Sequence, residues 1–184
     1  MDGAVILGID PGTNLLSFGV IRACGGRAEY VDMGVLDMRK DKDPYHKLRQ
    51  IYDTVTEVCR NYRPDVMALE SPFYAKNAQV ILKLGRAQGA AMIAALEYGI
   101  EVFEYAPREA KEAVTGNGAA AKEQVGLMLR KTLGVPLDTE FMDATDALAI
   151  AMCHFYRISN PLRCGTRQSS GWEKFILENP DRVK

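Results

Sequence analysis

Between Val5 and Leu36 this chain doubles back twice through tight turns, and beyond that point it passes from strand to strand only by way of helices. Val5 to Asp10 has the apolar, β-branched content of a buried strand and stops at Pro11-Gly12. Phe18 to Ala23 and Ala28 to Leu36 read as two more strands. Gly25-Gly26 between them reads as a hairpin, since paired glycines take positive φ without steric cost. Strands joined by tight turns pair antiparallel, whereas strands separated by a helix pair parallel through right-handed crossovers. A chain that does both is directed toward a mixed sheet.

The helices follow from periodicity. Asp37 to Tyr45 is a polar loop, and from His46 to Tyr62 the residues Leu48, Ile51, Tyr52, Val55, Val58 and Cys59 recur at helical steps until Pro64 breaks the pattern. Asp65 to Glu70 is a fourth strand, and Ala78 to Tyr98 a long helix of small residues ended by Gly99. Ile100 to Tyr105 is a fifth strand. A short helix near Arg108 to Val114, a glycine loop at Thr115 to Gly118, and helices at Ala120 to Leu133 and Asp143 to Arg157 complete the body. The last helix must return to the sheet to bury Ala147, Leu148, Ile150 and Ala151. The expected architecture is α/β, a mixed five-stranded sheet flanked by helices in the element order of the ribonuclease H-like fold. Residues 1–159 form the expected domain and 160–184 a polar tail, in which Trp172, Phe175 and Ile176 predict a short docked helix.

Composition narrows the function classes. With 23 basic and 24 acidic side chains the net charge is -1, so any nucleic acid must meet a local basic patch. No apolar stretch approaches the roughly 20 residues that span a bilayer. The best candidate, Ala87 to Leu96, is interrupted by Gln88 and Gly89. The N-terminus lacks a secretory pattern. Cys24, Cys59, Cys153 and Cys164 show no metal-ligand or redox spacing, so a reduced, cytoplasmic chain is expected.

Four carboxylates stand out by position. Asp10 and Glu70 each end an apolar strand, where ligand and catalytic groups of open sheets gather. Asp143 and Asp146, three apart at a helix start, project from one face. Convergence of all four requires cations, because like charges a few Å apart raise one another's pKa. Oxygen-only donors suit Mg²⁺, with Mn²⁺ as a substitute, and two such ions can activate water and stabilise a leaving oxygen in phosphodiester cleavage. Singly, each residue has an ordinary explanation: Asp10 as a turn cap, Asp143 as a helix N-cap, Asp146 as a first-turn partner of the helix dipole, Glu70 as a strand terminus.

Several stretches fall in one order. They are Gly8-Ile9-Asp10-Pro11-Gly12-Thr13, Ala68-Leu69-Glu70, Ala75-Lys76-Asn77 and Leu82-Lys83-Leu84-Gly85-Arg86-Ala87-Gln88-Gly89, followed by residues 116–122 and the run Asp143 to Ile150. In this the chain resembles the bacterial RuvC crossover-junction endodeoxyribonucleases across residues 4 to about 157. The tail after Asn160 departs from the pattern. The resemblance implies a metal-dependent nuclease that resolves four-way (Holliday) junctions, with Asp10, Glu70, Asp143 and Asp146 as the catalytic metal-binding set. It also implies a homodimer that cuts two strands of like polarity symmetrically and works with RuvA and RuvB.

A DNA surface is expected around these groups. Phe73, in the loop after Glu70, suits base stacking or wedging, against the alternative of core packing; Tyr74 beside it is open. Lys76 and Arg86 on the long helix, and Lys111 and Lys122 around the glycine loop, suit phosphate, while Lys83 reads as solvated. Gly116 and Gly118 permit close backbone approach to phosphate. Lys111 and Lys122 match family lysines implicated in DNA contact or catalysis, and Lys122 suits neutralisation of transition-state charge. The small surface of the long helix (Gly85, Gly89, Ala90, Ala91, Ala94 and Ala95) fits either a dimer contact or core packing, and His154 reads as structural. The competing functions are an actin-like phosphotransferase, for which the chain is short and lacks a second glycine motif, a non-catalytic branched-DNA-binding module, and an RNA-processing nuclease of the same fold.

Overall fold

The computed structural model describes residues 3–71, 77–135, 142 and 144–159. Among these residues five strands and five helices run in the order β1 (Val5–Pro11), β2 (Leu15–Cys24), β3 (Arg27–Asp37), α1 (Pro44–Tyr62), β4 (Val66–Glu70), α2 (Ala78–Leu96), β5 (Glu101–Tyr105), α3 (Pro107–Thr115), α4 (Lys122–Leu133) and α5 (Ala144–Ser159). The sheet order is β3-β2-β1-β4-β5. The hairpin strands β1, β2 and β3 pair antiparallel, and β4 and β5, each reached through a helix, pair parallel. This is the mixed, ribonuclease H-like arrangement that the turn and helix pattern predicts.

Local chemistry sets the element ends. Gly25 and Gly26 take φ of 54° and 77°, the doubly positive pair of a tight hairpin turn. Asp43 caps α1 by accepting from the Tyr45 N–H at 2.8 Å, with Pro44 in the first turn. The helix closes with Arg63 in the left-handed region just before Pro64.

The period-2 alternation of β1 divides the core. Val5, Leu7 and Ile9 face α1 and α2, together with Val55, Ala91 and Ala94. Ile6, from the opposite parity, faces α3, α4 and α5, together with Leu148 and Ile150. In the long helix α2, core packing takes one side of the small-residue surface. Ala87, Ala91, Ala94 and Ala95 are buried against the sheet and α1. Gly85 and Gly89 lie on the other side, where an added Cβ would meet nothing within 4 Å.

The tightest constraint lies under α5. A Cβ on Gly8 would fall 2.0 Å from the Ala147 carbonyl oxygen, and one on Gly19 would fall 2.7 Å from a Leu148 methyl. Gly8 and Gly19 are paired across β1 and β2, so two absent side chains make one trough for the helix. Eleven residues of α5, from Ala144 to Phe155 with Asp146 excepted, are buried. Gly8→Ala meets backbone, which cannot step aside as a side chain does. It should therefore destabilise the fold at or beyond the upper end of the overpacking range, about 3 kcal/mol. Denaturant unfolding of the variant measures this, and a loss below about 1 kcal/mol would show that α5 is not held by the trough.

Candidate active site

Adjacent parallel strands carry the first two carboxylates. Ile9 pairs with Leu69, so Asp10 and Glu70 follow at the same end of β1 and β4. Asp10 shares parity with Ile6 and Gly8, and Glu70 with Val66 and Ala68, which puts both on the α5 face. Asp146 lies in the first turn of α5, directly before the residues that press into the glycine trough. The turn is braced by the Thr145 hydroxyl, which donates to the Met142 carbonyl at 2.7 Å.

The electrostatics report convergence. The Glu70 carboxyl is pushed up to about 8, first by burial and then by the negative charges of Asp10 and Asp146, with Lys111 and Lys122 pulling the other way. Groups from β1, β4, α3, α4 and α5 therefore act on one another at one strand end. The Lys122 ammonium lies 2.7 Å from an Asp146 oxygen, both side chains partly exposed.

The donor set fits a hard divalent cation in chemistry and charge: all oxygens, and a proton held on Glu70 by burial and by the charges of Asp10 and Asp146, which a cation would offset. Among the described residues no three such side chains close on a single point. Asp143, the fourth member predicted from sequence, lies outside the described residues, as do Phe73, Tyr74, Lys76 and the tail residues Cys164, Trp172, Phe175 and Ile176.

The other predicted contacts are spread over two places. Lys111 and Lys122 belong to the carboxylate cluster. Gly116 caps α3 with φ 75°, and the room left by Gly118 is taken by the Arg108 side chain, 2.5 Å from where a Cβ would stand. Their loop is braced internally, with the Asn117 N–H donating to the Thr115 hydroxyl at 3.1 Å and the Ala119 N–H to the Asn117 side chain at 2.9 Å. Arg86 lies elsewhere, in a cleft of about 400 Å³ between the β1–β2 turn and the starts of α1 and α2. His154 is buried, with Nδ1 2.7 Å from the Tyr105 hydroxyl and its ring beside Phe103. Burial and Arg157 push its pKa down to about 4, which suits the structural role predicted for it.

Three features escaped the sequence reading. Gln88 is buried and donates from Nε2 to the Glu70 carbonyl at 2.9 Å, pinning the strand end from the α2 side. Its signal was its interruption of an apolar helix. Lys42 and Lys47 join Lys83 and Arg86 around the cleft, a grouping drawn from three segments that no local pattern announces. Ser17 is 3% exposed and its hydroxyl has no hydrogen-bond partner among the described residues, an arrangement that costs on the order of 1–3 kcal/mol.

Fold and site together define a ribonuclease H-like protein with acidic residues gathered at the ends of its central strands. The profile of the crossover junction endodeoxyribonuclease RuvC family matches residues 6–154. The chain is 50% identical to the RuvC of Bacteroides fragilis over 182 residues, covering 98% of this chain and 96% of that one. It is 45% identical to the RuvC of Porphyromonas gingivalis over 183 residues, covering 98% and 97%. The chain belongs to the RuvC family. Among solved structures, Thermus thermophilus RuvC in complex with a Holliday junction substrate superposes with a TM-score of 0.72 at 32% identity, covering 84% of this chain and 94% of that one. A yeast mitochondrial Holliday junction resolvase shares the fold, with a TM-score of 0.66 at 13% identity and coverage of 96% and 85%.

Glu70 makes the site visible in metal-free protein. Because its folded pKa is raised, its contribution to stability is complete below about 4.5 and is lost as pH climbs through about 8. The melting temperature in EDTA should fall across that window, and Glu70→Gln should flatten the fall. An equal decline in both proteins would place the repulsion elsewhere.

Proposed function

We propose that this chain is a Holliday junction resolvase, an endonuclease that hydrolyses two strands of like polarity symmetrically in a four-way DNA junction during recombination and repair. The observation that carries the reading is the burial of Glu70 beside the charges of Asp10 and Asp146 at one strand end, in a chain that matches RuvC relatives along nearly its whole length. Nucleases of this family are metal-dependent, and the proposed holders are Asp10, Glu70, Asp143 and Asp146, with two Mg²⁺ as the physiological ions and Mn²⁺ as a substitute. When bound, the ions would supply an activated water and charge stabilisation at the leaving oxygen.

The chain's own groups do the rest. Burial and the α5 seat hold the carboxylates at fixed positions, so little reorganisation accompanies reaction. Lys122 and Lys111 bring positive charge to the same point, where Lys122 offsets the charge that develops on the scissile phosphate. In this reading Phe73 stacks on or wedges a base at the junction, and Lys76 with the Gly116–Gly118 loop meets backbone phosphates. Arg86 belongs to a DNA track through its cleft, whose described lining carries Lys42, Lys47, Lys83 and Arg86 and no carboxylate. Residues 1–159 form the nuclease domain and 160–184 a tail.

The working unit is a homodimer in the cytoplasm, acting with RuvA and RuvB. Support for the dimer comes from α2, where Leu82, Gly85, Gly89, Ile93 and Leu96 recur at three- and four-residue steps on the side away from the core. Leu82, Ile93 and Leu96 are 59%, 55% and 55% exposed, and the two glycines let a second copy of this helix approach closely.

Asp10→Asn should abolish cleavage of a labelled junction while leaving junction affinity in EDTA within about threefold of wild type. Loss of binding by the folded variant would contradict a catalytic assignment. Gly89→Arg, which has open space to occupy, should sediment as a monomer and leave unpaired nicks in place of paired ones. A dimer that still pairs its cuts would remove α2 from the interface.

A further inference from the structure

The β1–β2 ladder sets Ser17 directly opposite Asp10. Residues opposite one another in an antiparallel pair project to the same face, with Cβ atoms about 4.5–5.5 Å apart. That face is the one α5 covers: two residues along each strand lie Gly8 and Gly19, under Ala147 and Leu148. Ser17 is thus shut in beneath the start of α5 with the Asp10 side chain as its lateral neighbour. Its hydroxyl is buried, and among the described residues no hydrogen-bond partner reaches it. The Thr145 hydroxyl, on the helix above, is engaged with the Met142 carbonyl. An alanine at position 17 would fill the same pleat without an orphaned polar group, so stability alone gives the hydroxyl no purpose.

We propose that Ser17 is a positioning residue for Asp10: its hydroxyl donates to the Asp10 carboxylate when that carboxylate holds a cation, fixing the orientation in which it does so. The proposal rests on the metal-holding reading of Asp10. A ligating carboxylate has an oxygen lone pair left over, and the groups that hydrogen-bond to such ligands set their direction and basicity. Ser17 has the right chemistry, a single rotatable O–H donor, and the right place, the same face and the opposite rung. It is also shielded from water that would otherwise take the donor.

The signature is a pair of effects of opposite sign. Ser17→Ala should melt in EDTA at the wild-type temperature or above it, because an unsatisfied buried hydroxyl has been removed. The same variant should bind Mn²⁺ roughly tenfold more weakly, measured without DNA by electron paramagnetic resonance or calorimetry, in line with the 10–100-fold effects of such second partners. A drop in the EDTA melting temperature would overturn the proposal, because the hydroxyl would then be serving the fold. An unchanged Mn²⁺ affinity would overturn it as well, because the hydroxyl would not serve the ligand. If wild-type protein itself takes up no Mn²⁺, the metal-holding reading of Asp10 fails first and the role of Ser17 falls with it.

Discussion

The contact between α5 and the Gly8–Gly19 trough is the constraint on which the rest of the structure depends. It brings helix backbone against strand backbone at a separation that no side chain permits, with a hypothetical Gly8 Cβ only 2.0 Å from the Ala147 oxygen. The two glycines seat Ala147 and Leu148 directly over β1 and β2, one residue beyond Asp146. That position presents Asp146 to Asp10 and Glu70. Small residues in α5 (Ala144, Ala147, Ala149 and Ala151) extend the same close approach over its buried face.

Close seating has an electrostatic consequence that the surrounding elements absorb. Burial first, and then the negative charges of Asp10 and Asp146, hold a proton on Glu70 up to about 8, with the positive charges of Lys111 on α3 and Lys122 on α4 acting against them. Gln88 ties the Glu70 backbone from beneath, and the Ser71 N–H bonds the Tyr105 carbonyl at 2.9 Å on the other side. The strand end is therefore rigid in its backbone while its side chains repel. A buried carboxyl kept protonated by its neighbours is costly to the fold, the usual relation between a functional cluster and stability.

Most of the fold was legible in the sequence because its signals are local. Gly25-Gly26 and the helical recurrence of Leu48, Ile51, Val55 and Val58 each act within a few residues, and the order of turns and helices then leaves few topologies. Asp10 and Glu70 were legible for the same reason, each ending an apolar run. What stayed hidden depends on contacts between distant segments. The apolar and small residues of α2 read as one surface, but Ala87, Ala91, Ala94 and Ala95 point inward while Gly85 and Gly89 point outward, a division that requires knowing where the sheet lies. Gly118 reads as room for a phosphate, and that its missing Cβ also clears the Arg108 side chain shows only in the fold. Lys42, Lys47, Lys83 and Arg86 meet only because α1 and α2 pack side by side. Ser17 looks like any serine in a strand until its rung partner is known to be Asp10.

The measurement that tests the account most directly is cleavage of a mobile four-way junction by the wild-type protein in Mg²⁺, with linear duplex of the same sequence and EDTA as controls. The account predicts paired, symmetric nicks in strands of like polarity on the junction, none on the duplex, and none in EDTA. Cleavage that persists in EDTA, or that proceeds equally on linear duplex, would contradict a metal-dependent junction resolvase built on these carboxylates.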